Sequence, residues 1–485
     1  MLSRRLEPVP PHRALLTAVE AGAMLTVTAV LTESEPYPGI IGGLGVCFWA
    51  LTYMFRSGLL PVMMLRLLAI GVPGISAGLI KLYDPNLYIA YYFMDFQTIP
   101  VTKKVVLTTA FALGGAILAW AAIWLKPAAA KDAKTPRQAP PLGGLYALFA
   151  IFGVVLAFLD LGGRGAAIWR EAYGFGETSP AFLGLRIYGV ATIGCMISLV
   201  ALALFHPEAT QRTRLFTAFF TLSVFALSYL PLGARSEVIA FLFGSLSLVV
   251  LKRRRSPRLL SLVILFASLA FFSFVMAQFR AFLVTGKSLT ETVAETVDPF
   301  ALDFIEIGHG GNRPRISSLS PIENVNLLYG TIGLVDINVF SMRYGGTLLD
   351  HVRNTLPGSI NPFRTEEIAL LFRLHDWASA GGFMEIAEGY LNFGYSGAAL
   401  FGFALSGLYF SAYRAALMGS SLYTIIWYGY LTSFIVRVAF YGVNDIYKGV
   451  ITWLVITMTI RMLLVLWSKA RPASLPIGLD GPRTA

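Results

Sequence analysis

The sequence predicts an all-α polytopic membrane protein: about 12 transmembrane helices, with a large folded extracytoplasmic loop between helices 9 and 10. Three observations carry this expectation. Apolar runs of roughly 18–25 residues, the length that crosses a hydrocarbon core, recur along the chain. The 485 residues are 56% hydrophobic and 13% charged, with a mean hydropathy of +0.67, whereas an ordinary soluble chain is about 25% charged. Finally, Lys and Arg concentrate in alternate connections between the apolar runs, the bias that sets membrane topology.

The expected spans in the first half are 14–32, 38–54, 58–80, 105–125, 143–162 and 181–205. Those in the second half are 214–231, 236–251, 259–277, 384–413, 421–441 and 449–467. The run at 384–413 is long for one crossing and is expected to tilt or to project beyond the bilayer. Residues 1–277 thus hold helices 1–9, 278–383 the outer loop, 384–467 helices 10–12 and 468–485 a tail. The basic connections contain Arg56, then Lys126, Lys131, Lys134 and Arg137, then Arg212 and Arg214, the 252–258 cluster, Arg414, and finally Lys469 and Arg471. Placed inside, they put both termini in the cytoplasm and the 278–383 segment in the periplasm. Arg4, Arg5 and Arg13 precede an apolar segment too long for a signal-peptide core, so an uncleaved first span is expected. The stretch 126–141, KPAAAKDAKTPRQAPP, reads as a flexible cytoplasmic linker. In the outer loop, Val325–Val339 and the amphipathic Glu366–Trp377 predict a folded unit resting on the membrane surface.

Several function classes are excluded by what the chain carries. The net charge of +11 belongs to topology anchors such as Lys252-Arg253-Arg254-Arg255 rather than to a nucleic-acid surface. Cys47 and Cys195 lie inside apolar runs and offer neither a disulfide framework nor metal-ligand spacing. No nucleophile elbow, P-loop, H-E-x-x-H or dinucleotide fingerprint occurs, and the five histidines are scattered. No cofactor and no metal site is expected.

Candidate functional residues are those a membrane scaffold should not tolerate. Arg186, Arg235, Arg280 and Arg437 all fall near the outer ends of spans, where a convergent cationic pocket for an anion is one reading. Interfacial snorkelling, or local pairing such as Arg235 with Glu237, is the other. The outer loop adds Arg313, Arg315, Arg343, Arg353 and Arg364, with His351 among them. Arginine's planar fork suits phosphate oxygens. Glu20, Arg66 and Arg461 read as packing pairs or snorkelling side chains. At the start of the tenth span, Glu385, Glu388, Asn392 and Ser396 fall near one helical face. Glu388, expected deeper in the span than Glu385, suits a general acid/base or a salt bridge to one of the arginines. Gly389, Gly394, Gly397 and Gly402 allow close helix approach.

The segment PGSINPFR followed by GGFMEIAEGYLNFGYSGAALFGFALSGLYFSAYR resembles the signature of O-antigen and oligosaccharide repeat-unit polymerases of the Wzy type. The turn GARSE around Arg235 is similar to the arginine-bearing turn of that family. Together these cover about a fifth of the chain. The resemblance implies a metal-independent, inverting, GT-C-like glycosyltransferase in the bacterial inner membrane, active at its periplasmic face. The donor it implies is a growing glycan on undecaprenyl diphosphate; the acceptor is the non-reducing sugar of a lipid-linked repeat unit. Arg235, Arg280 and Arg364 would hold the diphosphate, with Glu388 as base or positioner. Tyr390 and Asn392 match the motif as substrate-binding or structural residues. A lipid-linked glycan ligase is the alternative within the same superfamily, and a transporter the alternative from another class. Membrane lipids, a chain-length regulator and a flippase are the implied partners.

Overall fold

The computed structural model describes residues 8–56, 61–83, 85, 98–126, 142–171, 186–229, 235–255, 257–258, 305–306, 314–315, 321–336, 341–353, 384–419, 421–435, 437 and 443–470, with isolated positions in 261–268. Within them the protein is helical apart from one antiparallel pair of two-residue strands, β1 (Ile305–Glu306) and β2 (Pro314–Arg315). The first helices are α1 (Pro11–Thr32), α2 (Pro36–Arg56), α3 (Pro61–Tyr83), α4 (Ile99–Leu125) and α5 (Leu142–Glu171). Then come α6 (Arg186–Phe205), α7 (Gln211–Tyr229), α8 (Arg235–Arg253), α9 (Pro321–Asp336) and α10 (Gly346–Arg353). The last are α11 (Glu385–Met418), α12 (Leu422–Ser433) and α13 (Val443–Ala470).

Six described helices are long and apolar enough to cross a membrane: Pro11–Thr32, Pro36–Phe55, Val62–Tyr83, Ile99–Leu125, Leu142–Leu161 and Glu385–Met418. The chain is an all-α membrane protein. Gly189–Phe205 and Gly449–Leu463 are shorter apolar helices. The expected span 259–277 and the linker 126–141 fall almost wholly outside the described residues.

Two helix groups organise the bundle. Around α4 pack α1, α2, α3, α9 and α11. The cause is its composition: most of its buried positions are Ala, Gly, Thr or Val, small enough to let several helices approach it closely. Pro100 and the Thr98 side chain, which accepts from the Val101 amide at 3.4 Å, set its start. The second group joins α5, α6, α7, α8, α12 and α13. α9 packs against α3, α4 and α11. Leu328, Tyr329 and Ile332 are fully buried, and the Tyr329 hydroxyl shares a 2.6 Å hydrogen bond with Thr102 of α4. Burial there pushes the tyrosine pKa up, an effect the Thr102 bond moderates.

The expected single long span at 384–413 is instead a helical hairpin. Phe393 leaves helical geometry and Gly394 adopts φ +62°, ψ −145°, a region open to glycine and few other residues. In a straight helix Glu385 and Ser406 would lie about 31 Å apart. Here both contact the guanidinium of Arg66, at 2.7 and 2.8 Å. The short arm 385–392 therefore folds back on the long arm, and Gly389 meets Gly397 across the fold with room for no Cβ on either side.

Paired contacts fix helix directions. α4 and the long arm of α11 run parallel: Phe111 stacks on Tyr395, Gly115 meets the Ala399 carbonyl, Trp120 packs on Phe410, and Arg414 donates to the Lys126 carbonyl at 2.6 Å. α8 and α12 run antiparallel through Leu248–Gly429, Gly244–Ser433 and Glu237–Arg437. α6 and α13 run parallel through Val190–Gly449 and Gly194–Trp453. Arg254 of the α8 end reaches the Leu417 carbonyl at 3.2 Å. One end of the bundle therefore collects Lys126, Arg414 and the 252–255 basic run. The opposite end collects the starts of α6, α8 and α13.

Candidate active site

The short arm of the hairpin carries three fully buried polar side chains, Glu385, Glu388 and Asn392, together with Tyr390. Its two carboxylates go to different partners. Glu385, farther from the turn, is the deeper of the two, reversing the expected order. It faces Arg66 of α3, whose Nη1 donates to Oε2 at 2.7 Å, while Nη2 and Oε1 approach to 2.6 Å out of hydrogen-bond line. Arg66 also donates through Nε to Ser406 at 2.8 Å and lies over the Tyr409 ring at 5.4 Å.

Glu388 sits toward the turn and belongs to a compact network with α10. Its Oε1 accepts from the Thr347 hydroxyl at 2.7 Å and lies 2.9 Å from His351 Nε2. Thr347 and His351 are four apart on α10, so one turn presents both to the same carboxylate. Asn392 closes the network by donating to Thr347 Oγ1 at 2.6 Å and accepting from the Gly345 amide at 2.9 Å. Backbone bonds dock the connecting loop onto the arm: the Arg343 amide donates to the Leu391 carbonyl and the Tyr344 amide to the Asn392 carbonyl, each at 3.0 Å. Tyr344 is held at φ +47° and its ring is 77% exposed beside Phe393. Arg343 pairs with Asp350 at 2.8 Å. α10 also packs on α13. The network thus lies at the end of the bundle where α6, α8 and α13 begin.

One expectation changes. Ser396 lies past the turn, exposed and bonded to the Phe393 carbonyl at 2.8 Å, not on the face of Glu388. The rest of the polar stripe is packed against α3 and α10. Glu237 pairs with Arg437 at 3.1 Å, both nearly fully buried, a pairing that local sequence does not suggest. Arg437 is thus held within the bundle by a carboxylate.

Arg186 and Arg235 open α6 and α8, Arg315 lies in β2 and Arg353 closes α10; these residues are placed by their backbones alone. Arg280, Arg313 and Arg364 fall outside the described residues. His351, read from sequence only as one residue among loop arginines, is the direct partner of Glu388. Thr347 and Tyr344 escaped the sequence reading; their signal is the run Tyr344-Gly345-Gly346-Thr347, a turn followed by a helix start. Among the described residues, no group of three or more His, Cys, Asp or Glu is placed to hold a metal ion.

Buried carboxylate, imidazole and hydroxyl within one hydrogen-bonded unit form an acid–base pair that can accept and hold a proton. The chain matches no family model, no curated protein and no solved structure.

Proposed function

We propose that the protein is a metal-independent glycosyltransferase that polymerises lipid-linked oligosaccharide repeat units at the periplasmic face of a bacterial inner membrane. The observation that carries this reading is the Glu388–His351 pair. Glu388 belongs to the polymerase-like segment, His351 stands six residues ahead of it, and the pair lies at the end of the bundle where Arg186 and Arg235 start their helices. In the proposed reaction an acceptor hydroxyl attacks the anomeric carbon of the donor glycan. The bond from that carbon to the diphosphate oxygen breaks, and undecaprenyl diphosphate departs with the electron pair. The hydroxyl proton passes to the Glu388–His351 unit, or Glu388 holds a neighbouring cation in place while solvent takes the proton.

Arginines at that end supply fixed positive charge where the leaving group gains negative charge, the most effective place for electrostatic stabilisation. Arg235, Arg280 and Arg364 are the proposed diphosphate ligands, with Arg186, Arg313, Arg315 and Arg353 around them. The proposal includes twelve spans with cytoplasmic termini, since the basic end of the bundle then faces the cytoplasm. It also takes a chain-length regulator and a flippase as working partners.

The test is purified protein mixed with a lipid-diphosphate-linked repeat unit, without added metal. A ladder of longer glycans is expected, and Arg235→Ala should abolish it. Transfer of one finished glycan to a lipid A or protein acceptor, without a ladder, would favour the ligase. Movement of the lipid across liposomes with no new glycosidic bond would favour a transporter.

A further inference from the structure

At the basic end of the bundle, opposite the Glu388 network, the ends of four helices line an open cavity of about 320 Å³. That volume falls within the ~300–1,000 Å³ range of small-molecule sites. Phe205, Leu251, Leu422 and Ile425 supply apolar walls, and Lys252 and Arg254 supply charge; no carboxylate is among the lining residues. Lys252 Nζ stands 5.2 Å from the Phe205 ring centre, poised over the cavity wall. Arg254 is held at φ +48°, with one Nη2 donor on the Leu417 carbonyl. A guanidinium has five donors, so four are left by this contact. Arg253 and Arg255 extend the charge along the rim, both exposed. Ser421, which precedes α12 at this cavity, makes no side-chain cap to that helix.

Apolar walls beneath a cationic rim, at the polar end of a membrane bundle, match one ligand chemistry: a phosphate ester attached to hydrocarbon. We propose that this cavity binds the headgroup of an anionic phospholipid, with Lys252 and Arg254 on the phosphate and Phe205, Leu251 and Leu422 against the glycerol and first methylenes. Bound lipid would tie the C-terminal ends of α6, α8 and α11 to the start of α12. The site is distinct from the acid–base network and does not depend on the polymerase reading.

Native mass spectrometry of the purified full chain, titrated with phosphatidylglycerol or phosphatidylcholine of identical chains, tests the proposal. Phosphatidylglycerol should bind the wild type more tightly, and Lys252→Glu should weaken it by at least about fivefold while leaving phosphatidylcholine unchanged. Lys252 is exposed, so thermal unfolding in phosphatidylcholine should match the wild type; Lys252→Gln, expected to show the same effect at smaller size, serves if it does not. Equal phosphatidylglycerol affinity in wild type and both variants would overturn the assignment. So would inorganic phosphate competing at equal concentration, which would mark a free-anion site.

Discussion

Arg66 and Glu385, 319 residues apart in sequence, meet with both side chains fully buried and their closest atoms 2.6 Å apart. The pair ties α3 to the inner end of the short arm, so the hairpin's fold depends on a contact far from its turn. Removing one partner strands the other charge in the interior, at a cost of about 3–5 kcal/mol. Glu385→Ala and Arg66→Ala should each lower the thermal unfolding temperature of the purified protein sharply. The Arg66→Met/Glu385→Met double variant should recover much of the loss. A double variant no better than the singles would show that the pair does not act as a unit.

Gly394 stands where side chains are rarely tolerated, so Gly394→Ala should destabilise by about 1–3 kcal/mol. The space around it is adequate, with Met342 Cε 3.8 Å from an added Cβ, so the backbone angle alone is at issue. Ser396→Ala, two residues on and exposed, should stay within about 0.5 kcal/mol of the wild type. Chemical unfolding of both variants side by side checks this, and equal losses would refute the assignment.

Between α4 and α11 the backbones nearly touch. A Cβ on Gly115 would sit 2.1 Å from the Ala399 carbonyl oxygen, and one on Gly402 would sit 2.2 Å from that of Ala112. Gly115→Val or Gly402→Val must push the helices apart and should reduce the yield of folded protein several-fold. Gly22 in α1 has nothing within 4 Å. Gly22→Ala should therefore be neutral or slightly stabilising, by up to about 1 kcal/mol from helix propensity. Monodisperse yield in size-exclusion chromatography separates the two cases.

Glu388→Gln keeps the shape of the side chain while removing its charge. If Glu388 accepts the acceptor's proton, turnover in the polymer-ladder assay should fall by about 10²–10⁴ with KM little changed. If it only holds a cation that binds substrate, KM should rise with a smaller effect on turnover. His351→Gln should follow the same pattern as Glu388→Gln, because both act through one hydrogen bond. Tyr344→Ala should raise KM alone if the exposed ring is a platform for the acceptor sugar.

The class of fold was legible because burial in lipid imposes a composition that nothing else in a chain mimics. The identities of Glu388 and Asn392 were legible too, since a polar stripe in an apolar run is costly and stands out. The hairpin was not, because hydropathy is blind to direction: 385–418 is equally apolar whether straight or folded. Its one signal was the clustering of Gly389, Gly394 and Gly397 around a polar segment. Pairings across the bundle were also hidden. Glu237 bonds Arg437, 200 residues away, a partner that no local spacing could point to. Arg66 gave no hint of Glu385 either, because the register that joins them is set by the packing of whole helices.

The crossing of Gly115 with Ala399 also bears on how the chain is made. α4 leaves the ribosome early and α11 late, so at ~5–20 residues per second the small-residue groove on α4 waits tens of seconds for its occupant. Until then its alanines and glycines face lipid or a temporary escort. A nascent chain halted before residue 385 would keep that groove open, giving membrane quality control a surface by which to recognise it.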